Sequence, residues 1–290
     1  MSLNRKIGVL SALVASGFIL YQGISNRQAM NQQVPLNEAQ TPEVAEWQLE
    51  SIPGALTADE VKSQLEKNLQ GIEISDIEKS PLKGYYQAFL GGEVLYVSVD
   101  GRFLMTGMML EIDEGAPINH TQLALARQDL KRAPMRAKLI SGIDESDMVV
   151  FKASDEKHVV TVFTDVDCAY CRKLHKEMPM LNENGITVRY MAYPRAGIGS
   201  SAYRKLVSVW CADDKQEAMN IAKLQRQFSD KTCKNPVAAH YNLVRSLNLS
   251  GTPAVITETG EVIGGYLSAD DMLSLLNKLK SEKLSMNSQN

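Results

Sequence analysis

The sequence predicts a mixed protein of helices and strands with two folded domains, a small α+β domain followed by a larger α/β domain. Residues 84–113 alternate between apolar and polar types and contain Gly-Gly and Asp-Gly pairs, which is typical of antiparallel hairpins. Farther along, an apolar run at 158–164 precedes a helix-like segment and a second apolar run at 186–193, which is the order of a βαβ unit. The 290 residues, 44% of them hydrophobic, are enough for about two cores.

The first 25 residues have the layout of an export signal. Arg5 and Lys6 precede an apolar stretch at 7–21, and no acidic residue occurs before Glu38. No small-x-small cleavage site follows, and the stretch is near the lower limit for spanning a bilayer. We therefore expect an exported protein, with a cleaved signal peptide and a retained membrane anchor as open alternatives. The formal charge of -3, without a basic stripe, argues against nucleic acid as a partner.

Residues 26–55 are polar, contain three prolines and show no lasting periodicity, so they are predicted to form a flexible tether. The small domain, residues 56–118, begins with a capping box formed by Thr57 and Glu60 and continues into an amphipathic helix. Three antiparallel strands are expected after that helix.

The last of these strands, at 102–112, is apolar on both faces, and a unit of roughly 60 residues buries too little apolar surface to be comfortably stable alone. We expect this strand to pair or pack with a second copy of the chain; the alternative is packing against the other domain of the same chain. Met105, Met108 and Met109 are interpreted as core residues in preference to a soft surface for client proteins.

Residues 119–140 are predicted to form a helix that links the domains, and Pro134 is expected to end or kink it. The larger domain, residues 141–290, then has the order βαβ, helical insertion, ββα. Its expected elements are a strand at 158–164, a helix to about 182, a strand at 186–193, helices between about 200 and 247, two strands within 253–266 and a final helix capped by Ser268.

A pair of cysteines separated by two residues, Cys168 and Cys171, follows the apolar strand at once. At the first turn of a helix, unpaired backbone N–H groups and the positive end of the helix dipole lower a thiol pKa, so Cys168 is the expected nucleophile. Cys171 lies one turn farther along the same face and is the expected resolving thiol. In an exported chain the four cysteines, which include Cys211 and Cys233, are expected to form two disulfides. Four cysteines can be paired in three ways, and this count does not choose among them.

Other interpretations of the pair are weaker. A structural zinc site lacks a second CxxC, because Cys211 and Cys233 are 22 residues apart, and His175 supplies one ligand at most. Covalent haem attachment requires a histidine directly after Cys171, where Arg172 stands. A purely structural bridge closes too short a loop to stabilise much. Redox chemistry is therefore predicted, and no metal or other cofactor is expected.

Several motifs together resemble one known family. The segments "VVTVFTDVDCAYCRKLH", "GITVRYMAYPR" and "SGTPAVI", in that order and spacing, resemble the bacterial periplasmic thiol:disulfide isomerases of the DsbC type. Upstream, "GEVLYVSVDGRFLMTG" resembles the final hairpin of that family's dimerisation domain. The resemblance covers roughly residues 55–280. It implies a thioredoxin-like C-terminal domain with a helical insertion, preceded by a small cystatin-like α+β dimerisation domain and a linker helix.

The same resemblance implies roles for residues outside the cysteine pair. Ala169 and Tyr170, together with Thr252 and a cis Pro253, would bind an extended substrate segment. Cys211 and Cys233 would form a second, structural disulfide, and Gly107 would lie at the dimer interface. Two departures matter: Ala169 stands where glycine is common in the family, and Asp167 places a carboxylate before Cys168 that opposes thiolate formation.

The resemblance also implies a biological setting. The expected protein is a periplasmic homodimer that rearranges wrong disulfides in misfolded exported proteins, and a membrane thiol reductase of the DsbD type keeps its cysteine pair reduced. The runner-up activities are a dithiol oxidase and a dimeric chaperone or assembly factor without redox chemistry. The redox state of Cys168 in the cell separates the first alternative from an isomerase.

Overall fold

The computed structural model describes residues 47–69, 71–90, 92–112 and 116–287. The export signal predicted at 1–25 and most of the predicted tether lie outside these residues. The last part of the tether, residues 47–55, is folded. Trp47 is buried, its ring lies 5.9 Å from that of Tyr86, and its indole N–H donates to the carbonyl of Ser80 at 2.9 Å. An aromatic anchor therefore outweighs the local polar composition of this stretch.

The N-terminal region is an antiparallel sheet covered by one helix. Helix α1 (Ala58–Asn68) begins with the predicted capping box, because the side chains of Thr57 and Glu60 each accept the other's backbone N–H. Its buried Val61 and Leu65 pack on the sheet. The strands, in their order across the sheet, are β1 (Asp76–Lys79), β2 (Tyr85–Leu90), β3 (Glu93–Ser98) and β4 (Leu104–Thr106).

Strand β1 was not expected from the sequence. Its four residues include three charged ones, so they lack the apolar alternation of a half-buried strand. The strand forms because it pairs antiparallel with β2, with Ile77 opposite Ala88. Its carboxylates are also held from outside the sheet, since Lys131 contacts Asp76 and Glu78 at 3.2 and 3.1 Å.

The predicted strand at 102–112 is divided at Gly107. This glycine has φ of +130°, which turns the chain out of the extended ladder after β4. The chain then forms β5 (Leu110–Glu111), which pairs with β6 (Ile118–Asn119). Gly107 therefore lies in a bend after the edge strand, whereas the sequence predicted a position within a strand.

The apolar side chains of this segment are exposed. We call them the apolar edge; its members are Phe103, Leu104, Met105, Met108, Leu110 and Ile112. Met108 is 71% exposed, so the core interpretation is wrong for Met105 and Met108, whereas Met109 packs against a cluster of buried aromatic and aliphatic residues. The alternative in which this segment packs on the other domain of the same chain is wrong for the same reason.

Helix α2 (His120–Ser141) connects the two regions and does not end at Pro134. Beyond the proline, the buried guanidinium of Arg136 donates to the carbonyls of Asp129 and Gly260. These bonds tie the helix to itself across the proline and to the C-terminal region. Tertiary contacts therefore compensate for the N–H that the proline lacks.

The C-terminal region contains a second, mixed sheet. Its strand order is β10-β8-β9-β7, with β8 and β9 parallel and the other two pairs antiparallel. Strand β7 was missed because three residues are too few to show a period. The second strand expected within 253–266 forms a single bridge, Ile256 to Val262. The strands are β7 (Val149–Phe151), β8 (His158–Thr164), β9 (Ile186–Ala192) and β10 (Ala254–Thr257).

Helices cover both faces of this sheet. The helical stretch expected between 200 and 247 is interrupted by a π-helix at Ile221–Gln225 and by irregular chain at 226–236. The final helix has the expected cap, because the Ser268 hydroxyl accepts the Asp271 N–H at 3.2 Å. The helices are α3 (Ala169–Lys176), α4 (Met178–Glu183), α5 (Ser201–Trp210), α6 (Lys215–Asn220), α7 (Val237–Ser246) and α8 (Ala269–Asn287). Within the described ranges no helix is long and apolar enough to cross a membrane.

Candidate active site

Cys168 is the N-cap residue of helix α3, directly after strand β8 and a short loop. Its sulfur accepts the backbone N–H of Cys171 at 3.4 Å, and its thiol donates to the carbonyl of Thr252 at 3.2 Å. Because Cys168 occupies the cap position, its sulfur lies next to the unpaired backbone N–H groups and the positive end of the helix dipole, as the sequence predicts. Both Cys168 and Cys171 are free thiols in this structure.

The two thiols differ in how readily they ionise. Burial disfavours the Cys168 thiolate, but hydrogen bonds from Thr252 and Cys171 and the charge of Arg195 outweigh it, so the pKa of Cys168 lies below its ordinary value. At Cys171 burial dominates and raises the pKa, although Lys223 and the hydroxyls of Thr252 and Thr164 oppose it. The thiol of Cys168 therefore ionises more readily than the thiol of Cys171.

The loop before β10 faces both sulfurs. The Thr252–Pro253 peptide bond is cis, and the hydroxyl of Thr252 is buried and has no hydrogen-bond partner among the described residues, so it can donate to either sulfur once that sulfur ionises. Ala169 and Tyr170 lie next to the same sulfurs on the surface side, and Tyr170 is 63% exposed. An exposed aromatic ring therefore lies beside a nearly buried sulfur.

Asp165 organises the loop between β8 and α3. Its buried carboxylate accepts the N–H of Asp167 at 2.8 Å and the N–H of Arg195 at 2.9 Å, and its carbonyl accepts the Cys168 N–H at 3.4 Å. The guanidinium of Arg195 lies 3.6 Å from the same carboxylate. A fixed loop keeps Cys168 at the helix start, and it brings the charge of Arg195 into the site.

Asp167 does not act as an isolated negative charge. Its carboxylate forms an ion pair with Lys205 of helix α5 at 2.7 Å. The sequence predicts that this carboxylate opposes ionisation of Cys168, and the lysine offsets that effect. The pKa of Cys168 is lowered with Asp167 in place.

Behind Cys171 lies a group of buried polar side chains. Lys223 is 1% exposed and donates to the Thr164 hydroxyl at 2.8 Å, and its ammonium lies 5.4 Å from the Tyr190 ring centroid. His175 contacts the Tyr190 hydroxyl and Asn220 at 3.2 and 3.0 Å. Burial and the charge of Lys223 lower the pKa of His175 to about 4, so it is neutral at pH 7 and serves as a packing residue.

The structure brings together six of the nine site residues expected from the sequence, namely Cys168, Cys171, Ala169, Tyr170, Thr252 and Pro253. Cys211 and Cys233 form a disulfide in the helical insertion. Gly107 lies in the N-terminal region. Across the described ranges, no three His, Cys, Asp or Glu side chains are grouped as a metal site would require.

Sequence reasoning assigned no role to four residues of the site: Thr164, Asp165, Arg195 and Lys223. The role of Asp165 could have been predicted from its position. A charged residue that directly follows a buried strand and precedes a reactive cysteine needs a buried partner. No feature of the sequence predicts a role for Lys223. In the sequence it is one lysine of a helical stretch, and only the fold places it behind Cys171.

Two family models match most of the described chain. A model described as a thioredoxin-like domain matches residues 145–280, and the N-terminal domain of the disulfide bond isomerase proteins matches residues 38–122. Together they include both sheets, the start of α2 and all six clustered site residues.

Individual relatives agree with these models. The chain is 36% identical over 230 residues to the thiol:disulfide interchange protein DsbC of Escherichia coli, covering 79% of this chain and 92% of the relative. It is 37% identical over 214 residues to the DsbC of Haemophilus influenzae, covering 73% and 88%. Among solved structures, a disulfide interchange protein from Neisseria gonorrhoeae is 25% identical with a TM-score of 0.41, covering 46% of this chain and 96% of that one.

Proposed function

Since the chain belongs to the DsbC family of thiol:disulfide interchange proteins and is a thiol:disulfide isomerase, we propose that Cys168 is its nucleophile and Cys171 its resolving thiol. The observation behind this proposal is the difference between the two sulfurs. Hydrogen bonds and Arg195 favour the thiolate of Cys168, whereas burial disfavours that of Cys171. A nucleophile needs a stabilised thiolate, and a resolving thiol needs shielding until a mixed disulfide forms.

The reaction begins when the thiolate of Cys168 attacks one sulfur of a wrong disulfide in a substrate protein. A bond forms between Cys168 and that sulfur, the substrate disulfide breaks, and the other substrate sulfur leaves as a thiolate. A different substrate thiolate then attacks the mixed disulfide and releases Cys168, so no net oxidation occurs. When no substrate thiol arrives, Cys171 attacks Cys168 and the substrate leaves reduced.

Substrate binding is assigned to the two surfaces that flank Cys168. On one side, the backbone of Thr252 next to Pro253 pairs with an extended substrate segment, as in other complexes that add a strand to an exposed backbone edge. On the other side, Ala169 and the exposed ring of Tyr170 contact the residues around the disulfide. The disulfide of Cys211 and Cys233 has a structural role in the helical insertion.

The domain organisation supports a homodimer. We divide the chain into an export segment at 1–25, a tether at 26–46, a dimerisation domain at 47–118, a linker helix at 119–141 and a thioredoxin-like domain after it. The apolar edge, with Gly107 in its bend, is the surface that a second copy covers, because an exposed edge strand rich in apolar side chains is a template for pairing.

The proposed location follows from the chemistry, and the proposed electron donor follows from the resemblance to the family. An isomerase needs its cysteine pair reduced in a compartment where substrate disulfides persist, which is the periplasm for an exported bacterial protein. A membrane thiol reductase of the DsbD type supplies the electrons. The N-terminal segment is either removed or kept as an anchor.

Refolding of a scrambled multi-disulfide protein tests this proposal. We expect Cys168→Ser to lose isomerase activity to the background rate, while Cys171→Ser still attacks substrate and accumulates mixed disulfides. Oligomeric state is measured on the same samples by analytical ultracentrifugation. If Cys168→Ser rescued the substrate as well as the unsubstituted chain does, the activity would be that of a chaperone. A pair that is mostly oxidised in cells would indicate an oxidase.

A further inference from the structure

Helix α2 is attached to the N-terminal sheet by polar side chains in its middle. Arg127 forms an ion pair with Glu78 at 3.2 Å. The buried side chain of Gln128 donates to the Asp76 carboxylate at 2.5 Å. Lys131 lies 3.2 Å from Asp76 and 3.1 Å from Glu78. Both carboxylates belong to strand β1, so that strand holds the middle of the helix against the N-terminal sheet.

The same part of α2 also contacts the C-terminal region. The Asp129 carboxylate accepts the backbone N–H of Val262 at 3.4 Å. The guanidinium of Arg136 donates to the Gly260 carbonyl, and Arg136 is 1% exposed. Gly260 also lies so close to Ala133 that a Cβ there would collide with the Ala133 carbonyl. The helix and the turn at Gly260 are therefore packed backbone against backbone, and neither can move without the other.

These two sets of contacts overlap along the helix. Residues 127–131 contact the N-terminal sheet and residues 129–136 contact the C-terminal region, and the structure describes every residue of α2. A hinge between two domains requires a few residues whose backbone angles are free to change. Because no such residues separate the two sets within α2, bending of the helix would break the contacts of one region or the other.

The contacts with the C-terminal region reach the cysteine site through strand β10. The turn that contains Gly260 is fixed by its own bonds, since Gly260 donates to the Thr257 carbonyl at 3.0 Å and the Glu261 N–H donates to the Thr257 hydroxyl at 3.1 Å. Thr257 is the last residue of β10, and β10 begins directly after Pro253. Helix α2 therefore holds one end of a strand whose other end carries the loop that faces both sulfurs.

Arg136 fixes the direction of the turn at Gly260 as well as its distance from the helix. Its guanidinium also donates to the carboxylate of Asp129 and, at 3.1 Å, to the carbonyl of that residue. The group is planar and presents its donors in a rigid fork, so its bonds orient Gly260 relative to Asp129. A lysine ammonium is a point charge on a flexible stem and cannot fix that orientation. Asp129 completes the contact through its bond to Val262.

We propose that Arg136 and Asp129 are positioning residues that make α2 a rigid strut, so that Cys168 keeps one orientation relative to the dimerisation domain. This inference rests on the proposed homodimer and on the proposed role of Cys168. In such a dimer the two nucleophiles stand at a fixed separation, and a substrate protein held at one site meets the other at a high effective concentration. A bending helix would spread the sites over many separations and lower that concentration. A small disulfide reacts at a single Cys168 and does not sense the strut.

Double electron–electron resonance on the full chain measures whether α2 bends. Spin labels are attached through a keto amino acid, which leaves the cysteines intact, at the exposed positions of Ser63 in α1 and Ser274 in α8. Labelled chain is mixed with an excess of unlabelled chain, so that a dimer carries one labelled copy. We expect a single narrow distance distribution for the unsubstituted chain and about twice that width for Arg136→Lys. Arg132→Lys, the same substitution one turn earlier in α2, is the matched control and should keep the narrow distribution.

Two activity assays on the same variants separate positioning from stability. The first is refolding of a scrambled multi-disulfide protein, which uses both sites of the dimer, and we expect Arg136→Lys to lower its rate about threefold. The second is the reaction of the reduced chain with glutathione disulfide, in which Cys168 forms a mixed disulfide and one glutathione thiolate leaves. We expect the rate of this second reaction to be unchanged in Arg136→Lys. Arg132→Lys should match the unsubstituted chain in both assays.

The inference is overturned by a broad distance distribution in the unsubstituted chain, by an unchanged distribution or refolding rate in Arg136→Lys, or by an equal loss in both assays. The equal loss would show a role in stability alone. If Arg136→Lys fails to fold by circular dichroism, Asp129→Asn replaces it, because its amide oxygen can still accept from Val262 while the charge that orients Arg136 is gone. A narrow distribution in an unsubstituted chain that does not rearrange disulfides would contradict the proposed function and not the strut.

Discussion

The N-terminal and C-terminal regions of this protein depart from the usual distribution of polar and apolar side chains in opposite ways. The N-terminal region exposes apolar side chains on its last sheet strand and in the segment just after it, where Met108 is 71% exposed. The C-terminal region buries charged side chains next to its sheet, with Lys223 at 1% and Asp165 at 2% exposure. An exposed apolar patch and a buried charge are the informative exceptions to the hydrophobic rule; here the first is the proposed dimer surface, and the second lies next to the cysteine pair.

The difference shows which partner each region requires. An apolar edge gains free energy when another surface removes it from water, so its partner is a second macromolecule. A buried charge is stabilised only by neighbours that the fold itself supplies, which here are Thr164, the Asp165 carbonyl and the two sulfurs. The first region therefore depends on assembly, and the second on folding of the single chain.

The largest effect is expected when the apolar edge is made charged. In Leu104→Glu with Met108→Glu, like charges would meet across a two-fold interface, and a buried unpaired charge costs roughly 3–5 kcal/mol. We expect the dimer dissociation constant to rise by about a hundredfold or more, measured by analytical ultracentrifugation.

Leu82→Glu is the matched control for the edge variant. Leu82 is 47% exposed in the same region, but it lies between β1 and β2 on the far side of the sheet. We expect this variant to remain dimeric. If the variant with both Leu104→Glu and Met108→Glu stayed dimeric at the concentration at which the unsubstituted chain is dimeric, the second copy would dock elsewhere.

A smaller effect is expected where helix α2 meets the C-terminal region. Gly260 has φ of +91°, and a Cβ there would collide with the backbone carbonyl of Ala133 in α2. We expect Gly260→Ala to lower the free energy of unfolding by about 1–3 kcal/mol, as overpacking does, measured by urea denaturation.

Gly199→Ala separates the collision from the backbone conformation. Gly199 has a similar φ of +80°, but no atom lies within 4 Å of the position of its Cβ. The loss at Gly260 should exceed the loss at Gly199. Equal losses would mean that positive φ alone accounts for both, and that the contact with α2 is not tight.

The smallest effect is expected at the ion pair of Asp167 and Lys205. The pKa of Cys168 lies below its ordinary value of 9.0, so its alkylation rate should follow the thiolate fraction and fall as pH drops through that lowered pKa. Lys205→Met leaves the Asp167 carboxylate unpaired, and we expect it to raise the pKa of Cys168 only slightly, because exposed ion pairs contribute little energy.

Asp167→Asn should shift the pH dependence of Cys168 alkylation in the opposite direction. It removes the negative charge, so the rate profile should move to lower pH, whereas that of Lys205→Met moves to higher pH. The rates are read from the Cys168 peptide by mass spectrometry. Shifts in the same direction for both variants would show that the pair acts through loop position and not through charge.

The features that the sequence predicted well are those set by neighbours along the chain. The capping box at Thr57 and Glu60, the Ser268 cap and the strand at 158–164 all depend on residues within a few positions of one another. The features it missed depend on distant partners. Strand β1 forms because β2 pairs with it, and α2 continues past Pro134 with Arg136 held by the Gly260 carbonyl.

By itself, the sequence determined that two cysteines lie one helical turn apart at the end of a buried strand, because that geometry follows from the spacing and from the helix. Only the tertiary structure decided what surrounds them. Thr252 reaches Cys168 across 84 residues, and Lys223 reaches Thr164 across 59. Contacts over such separations exist only once the chain has closed into its sheet, so the acidity of each thiol is a property of the fold and not of the motif.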